Sequence, residues 1–167
     1  PSISANYVAF AYAGDIWLAD KNGQNPVRMT VNANTEVHPY LSPDGKWLAF
    51  SGNYDGNVDV YIIAVQGGTP QRLTFHPGTD YVRGWTNDSQ AILFSSNRES
   101  NSTRYNKIFK IGLQGGFPEA LPMPSATQVS YSPDGNSVAY LPNRDPFEID
   151  GPTYRPFKHY RGGNVGR

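Results

Sequence analysis

Apolar and polar positions alternate along most of this chain in short runs, and each run is closed by Gly, Pro, Asn or Asp. A period of two residues predicts strands. No stretch shows the 3.6-residue period of a helix. Residues 38–80 hold the clearest unit. His38-Pro39-Tyr40-Leu41 reads as a short inner strand. In Ser42-Pro43-Asp44-Gly45 the Pro pre-sets φ, the Asp caps the backbone and the Gly ends the turn. Lys46 to Ser51 is the next strand, followed by the loop Asn53-Tyr54-Asp55-Gly56-Asn57 with Asp-Gly as turn former. Val58-Asp59-Val60-Tyr61-Ile62-Ile63 is the third strand. Gln66-Gly67-Gly68-Thr69-Pro70 turns the chain, and Gln71-Arg72-Leu73-Thr74 is a short outer strand.

The unit recurs. Ser42-Pro43-Asp44-Gly45-Lys46-Trp47-Leu48-Ala49-Phe50 returns as Ser132-Pro133-Asp134-Gly135-Asn136-Ser137-Val138-Ala139-Tyr140. A worn copy, Thr86-Asn87-Asp88-Ser89-Gln90-Ala91-Ile92-Leu93-Phe94, lies between them, and Ser4-Ala5-Asn6-Tyr7-Val8-Ala9-Phe10 is a fourth with a shortened turn. A strand repeat of roughly 40–50 residues is the signature of propeller blades. The expected fold is therefore all-β: a β-propeller fragment of four-stranded antiparallel blades, about three and a half of them. Blade 1 spans about 1–37, blade 2 about 38–80 and blade 3 about 81–126. Blade 4 begins at 127, and residues 142–167, rich in Pro and Gly, form an extended loop. The first unit is expected to lack an inner strand before Pro1, which reads as a processing boundary. Rings need about four to eight blades, and an unpartnered blade leaves an apolar face in water. Further blades are expected from the rest of the polypeptide or from a second chain.

Composition narrows the function classes. Fourteen basic and 14 acidic residues give zero net charge in 167 residues, so no bulk field draws the chain to nucleic acid or to an anionic membrane. There is no cysteine, which excludes disulfides and thiolate metal sites. No apolar run approaches the ~20 residues of a membrane span. Cytoplasm and periplasm both remain open on this basis.

Candidate chemistry is sparse. A hydrolase triad needs nucleophile, base and acid converging. The available imidazoles are His38 and His76, each before a Pro, and His159 in the tail, and no Gly-x-Ser-x-Gly elbow occurs. Oxygen side chains alternate from Asn53 to Asp59 as in a calcium loop, but the distal bidentate Glu is missing and a hairpin loop fits better. Asp145, Glu148 and Asp150 read as a solvated loop. Arg161-Gly162-Gly163 is a single copy of a tract that binds RNA as repeats. Asn87-Asp88-Ser89 and Asn101-Ser102-Thr103 match glycosylation acceptors. Trp17, Trp47 and Trp85 fall at or near repeat positions, so inter-blade packing outweighs ligand stacking. No catalytic, cofactor-binding or metal-ligating residue is expected. The inner strands should border a channel, with His38, Arg83 and Gln128 as candidate lining residues. Arg83 stands out because a buried unpaired guanidinium is costly. A salt bridge at the blade edge would satisfy it equally well.

Two stretches carry a resemblance: the opening Pro1-Ser2-Ile3-Ser4 … Val8-Ala9-Phe10 … Gly14-Asp15-Ile16-Trp17 with Arg28-Met29-Thr30, and the tail Phe157-Lys158-His159-Tyr160-Arg161-Gly162-Gly163 … Gly166-Arg167. Together with the Ser-Pro-Asp-Gly turns they resemble the N-terminal six-bladed propeller of tricorn-type proteases. The worn turn at Thr86 and the chain end after Arg167 depart from that pattern. The resemblance implies a large cytoplasmic serine peptidase, homo-oligomeric, whose propellers filter or channel oligopeptides. Its catalytic domains would lie outside this span. It implies peptides and the remaining blades and domains as partners, and neither nucleic acid nor membrane. The alternative is a TolB-like periplasmic propeller, a non-enzymatic module that docks a protein.

Overall fold

The computed structural model describes residues 1–100 and 105–143. Among these residues there is no helix, and the strands form four antiparallel sheets. The first holds β1 (Ser2–Ile3), β2 (Tyr7–Tyr12), β3 (Asp15–Asp20) and β4 (Val27–Arg28). The second holds β5 (Glu36–Leu41), β6 (Trp47–Asn53), β7 (Val58–Ala64) and β8 (Gln71–Arg72). The third holds β9 (Asp80–Trp85), β10 (Ala91–Ser96), β11 (Lys107–Gly112) and β12 (Glu119–Ala120), and the fourth β13 (Ala126–Tyr131) and β14 (Val138–Pro142). Each sheet is a meander in chain order.

Two details correct the sequence reading. The first unit has an inner strand after all. Ser2 pairs with Ala9 and Ile3 with Val8, and Ser4 Oγ accepts the Tyr7 N–H at 3.2 Å to close the turn. Two residues are too few to show an alternation, which is why the strand escaped notice. The fourth sheet runs through Pro142, opposite Ala126, one residue into the stretch expected to be loop. Pro is tolerated at the end of an edge strand, where its missing donor is not needed. The expectations on Asn101-Ser102-Thr103 and on the tail from Arg144 onward lie outside the described residues.

The sheets pack face to face, and period two sorts their side chains. Phe50 and Leu48 face the first sheet, with Ala9, Ile16, Leu18 and Ile63. Their neighbour Ala49 faces the third, with Val82, Ile92, Phe94 and Phe109. Leu93 and Ile108 in turn meet Ala126 and Val129 of the fourth sheet. Phe50 and Phe94 are both 0% exposed. A fully buried side chain of this size contributes about 2–3 kcal/mol by transfer from water. Tyr140, at the same repeat position, is 43% exposed, in a sheet that has two strands among the described residues.

The repeated turn closes on its own side chains. Ser42 Oγ donates to Asp44 and accepts the Trp47 N–H at 3.0 Å, while Asp44 Oδ1 accepts the Lys46 N–H at 3.1 Å. Thr86 with Asp88, and Ser132 with Asp134, repeat this arrangement. The worn copy departs at Asn87 and Ser89, and both residues tie sheets together. Asn87 Nδ2 donates to the Ser132 carbonyl at 2.7 Å. Ser89 adopts a left-handed φ of 60°, close to the 70° and 73° of Gly45 and Gly135 in the other turns, and its Oγ accepts the Asp44 N–H at 3.0 Å. The left-handed conformation costs about 1–2 kcal/mol, and a hydrogen bond of this kind returns about 1.

A second repeated device sits at the outer strands. In Arg28-Met29-Thr30 and Arg72-Leu73-Thr74 the Thr Oγ1 accepts the N–H of Ile16 or Val60, and the Arg Nε donates to the Thr carbonyl. The guanidinium reaches Asp15 at 2.8 Å or Asp59 at 2.6 Å. Thr30 Oγ1 also donates to Glu36 Oε2 at 2.8 Å across the sheet boundary. Burial pushes the Glu36 and Asp59 carboxyls above their ordinary range, against the pull of Thr30 and Arg72 respectively. At the next boundary Asp80, fully buried, pairs with Arg98 at 2.6 Å. Ala126 holds the equivalent position in the fourth sheet, and that junction is apolar.

Phe94→Ala is expected to lower unfolding free energy by about 3–5 kcal/mol, because it opens a cavity between two sheets. Tyr140→Ala is expected to cost less than about 1 kcal/mol. Denaturant titration of both variants checks this, and equal losses would contradict the packing described.

Candidate functional site

The innermost strands β1, β5, β9 and β13 lie side by side from sheet to sheet. Three of them depart from regular pairing at nearly the same place. β5 carries an extra residue between Val37 and Tyr40, β9 one at Arg83 between Val82 and Gly84, and β13 one at Thr127. Such bulges re-aim side chains and recur near functional sites. The first holds His38 at a φ of 54°. A left-handed non-glycine residue is uncommon, and the residue before a proline favours extended conformations, so this backbone is strained.

The strain sets the His38 ring against Tyr81 of the next sheet, edge-on at 5.2 Å and 80°. The Arg83 guanidinium lies over the same Tyr81 ring at 5.3 Å. Its Nε donates to Ser95 Oγ at 2.9 Å, which fixes the side chain along the inner edge of the third sheet. Burial lowers the Arg83 guanidinium from its ordinary value, while Tyr40 and Tyr81 oppose that shift. Burial and, after it, the Arg83 charge lower the His38 imidazole from its ordinary value of 6.5, so it is neutral at pH 7.

Of the three candidate lining residues, two meet. His38 and Arg83 converge on Tyr81. Gln128 is exposed on β13, and no hydrogen bond or ring contact joins it to that pair among the described residues. Tyr81 and Ser95 were not anticipated as part of the group. Tyr81 stands two residues before Arg83, which puts both on one face of a strand, and that spacing was the available signal.

The other candidates among the described residues have structural partners. Asp55 of the hairpin loop and Asp59 of β7 both engage Arg72, and Asn57 Nδ2 donates to the His76 carbonyl at 2.6 Å. His76 Nδ1 accepts the Gly78 N–H at 2.9 Å. Trp85 is buried between sheets with its Nε1–H on the Tyr40 carbonyl at 2.9 Å, and Trp47 packs on the same core. Trp17 meets Tyr12 edge-on at 6.3 Å. No group of three or more His, Cys, Asp or Glu among the described residues is placed to hold a metal. No helix among them is long and apolar enough to cross a membrane. A groove of about 500 Å³ lies between the first sheet, at Leu18, Val27 and Met29, and the turn Val65 to Gly68 of the second.

Four-stranded antiparallel meanders, stacked face to face with their first strands side by side, define a segment of a β-propeller. The chain belongs to the family described as the tricorn protease N-terminal beta propeller domain, whose model matches residues 1–167. It is similar to tricorn protease homolog 1 of Streptomyces coelicolor, at 32% identity over 174 residues, covering 100% of this chain and 15% of that protein. It is also similar to a candidate tricorn-like protease N-terminal subunit of Sulfurisphaera tokodaii, at 28% identity over 171 residues, covering 99% of this chain and 82% of that protein. The crystal structure of the tricorn protease shares the fold, with a TM-score of 0.70 and 19% identity over 81% of this chain and 14% of that one. The chain thus spans a small part of the Streptomyces relative and most of the Sulfurisphaera one.

The His38–Arg83 coupling has a pH signature. With its folded value depressed, His38 takes up a proton in the unfolded chain first as pH falls past 6.5. Its stabilising contribution is complete above 6.5 and is lost as pH falls through the folded value. An NMR titration should place the His38 midpoint below 6.5, and Arg83→Gln should raise it without restoring the ordinary value, since burial remains. A wild-type midpoint at or above 6.5 would contradict the placement of His38.

Proposed function

We propose that this chain is part of the propeller of a tricorn-like serine peptidase, gating or channelling oligopeptides toward catalytic residues outside residues 1–167. The observation that carries this reading is the convergence of His38, Tyr81 and Arg83 on adjacent innermost strands. An inner edge with aromatic, imidazole and guanidinium groups suits peptides, which offer carbonyl acceptors and carboxylates along an otherwise variable surface. Membership of the tricorn N-terminal propeller family and the protease names of its relatives support it. The blades divide at about residues 37, 80 and 126 on this account. Further blades of the whole protein would cover Tyr140 and Leu141, which are 43% and 51% exposed. The whole protein is taken to be cytoplasmic and homo-oligomeric on the family resemblance.

Site-specific photo-crosslinking tests the reading. A photoreactive residue is placed at Gln128 on an innermost strand, and separately at Val27 on an outer strand, and the protein is challenged with short peptides of mixed sequence. Labelling from position 128 is expected to exceed that from 27 by about tenfold, the margin expected of a site over a non-site. Equal labelling, or labelling from 27 alone, would overturn it. Capture of a folded protein in place of peptides would favour the docking-module alternative.

A further inference from the structure

We propose that Glu36 is a proton-operated latch between the first and second sheets: protonated, it holds them together, and ionised, it lets their boundary open. The proposal does not depend on the channel reading. Glu36 begins β5, the innermost strand of the second sheet, and is 0% exposed. A short relay joins it to the first sheet. The Ile16 N–H donates to Thr30 Oγ1 at 2.9 Å, and Thr30 Oγ1 donates to Glu36 Oε2 at 2.8 Å. The Glu36 N–H donates to the Gly14 carbonyl at 2.8 Å. One residue thus closes the boundary with both its backbone and its side chain.

The surroundings are built for a carboxyl that keeps its proton. Gly52 lies opposite Glu36 in the pairing of β5 with β6. A Cβ at Gly52 would stand 3.1 Å from the Tyr61 ring and 3.3 Å from the Tyr54 ring, so the missing side chain makes room for both. Those rings meet at 4.5 Å, and the Tyr54 hydroxyl is a second neutral donor to Glu36. Glu36 Oε1 is buried without a hydrogen-bond partner among the described residues. The charges that face the carboxyl come from the first sheet. Asp15 on β3 opposes its ionisation, and Arg28 on β4, which favours it less, is bonded to Asp15 at 2.8 Å. The equivalent acid of the third sheet, Asp80, is instead joined directly to Arg98 at 2.6 Å. A carboxylate that exchanges water for neutral donors costs more to bury than the neutral acid does, so Glu36 retains its proton where exposed glutamates have lost theirs. When the boundary opens, Glu36 meets water and returns to the ordinary value of 4.5. The closed boundary therefore binds the proton more tightly than the open one. Closure is fully favoured below 4.5 and weakens as pH rises through the closed-state value.

The test follows the side-chain carboxyl resonance of Glu36 by NMR through a pH titration of the intact protein. Amide exchange at Ile16, Glu36 and Val82 is measured over the same range, each rate taken relative to the intrinsic rate at that pH. The Glu36 midpoint is expected above 4.5. Protection of Ile16 and Glu36 is expected to fall about tenfold for every pH unit that separates this midpoint from 4.5. The Val82 N–H, bonded to Ser51 across the next boundary, is expected to keep its protection, since the opening is local. Glu36→Gln preserves the shape and stays neutral, and is expected to hold Ile16 protection constant with pH. If that variant does not fold, Tyr54→Phe, which removes one neutral donor, is expected to raise the Glu36 midpoint, and an unmoved midpoint there would overturn the latch. A wild-type midpoint at or below 4.5 would overturn it, as would protection that stays level through the midpoint. The same pH-dependent loss in Glu36→Gln would assign the effect to another group, and an equal loss at Val82 would make it global unfolding. Either result overturns the proposal.

Discussion

Burial of each sheet's face against the next is the constraint on which this structure depends. A strand's side chains alternate between two faces, and here both faces of the central sheets are apolar. Leu48 and Phe50 point one way and Ala49 the other. Such a sheet cannot stand alone in water and needs a neighbour on each side. Large and small residues share each interface, Phe50 with Ala9 and Ile16 in one cluster and Phe94 with Ala49 in the next. The gradient in exposure from Phe50 and Phe94 to Tyr140 is the same rule seen where a partner strand is missing from the described residues.

Polar groups then fix the angle and register that apolar packing leaves loose. The bonds from Asp44 to Ser89 and from Asn87 to Ser132 tie turn to turn, and Ser51 Oγ takes the Val82 N–H across a sheet boundary at 2.8 Å. The Arg-x-Thr clamps tie the outer strands to the start of the third strand, and Thr30 reaches on to Glu36 of the next sheet. With the sheets so held, the innermost strands come together. Their bulges turn His38 and Arg83 toward one tyrosine, and the site is a product of stacking, since no single sheet contains it.

The architecture was legible because it rests on period and turn chemistry, both written locally. The three Ser/Thr-x-Asp turns announce themselves, and the strands that follow them are long enough to show alternation. β1 was missed because two residues carry no period. The worn turn at Thr86 looked like decay, yet Asn87 and Ser89 gain bonds to neighbouring turns that the consensus residues could not make. The site was only half legible. Repeat position placed His38, Arg83 and Gln128 on inner strands, but which of them meet depends on bulges and on the stacking of separate sheets. Neither leaves a mark in spacing. For Arg83, whose alternatives were a channel-facing position or a salt bridge at the blade edge, the sequence could not show that Asp80, the acid on its own strand, pairs with Arg98.

The fold belongs to a family of peptidase propellers, and the functional account turns on whether peptides travel along the innermost strands. Hydrogen exchange with and without a short peptide tests this most directly. The account predicts added protection in Val37–Tyr40 and Tyr81–Gly84 and none at Val27–Arg28 or Gln71–Arg72. Protection confined to the outer strands, with the innermost ones unchanged, would contradict it.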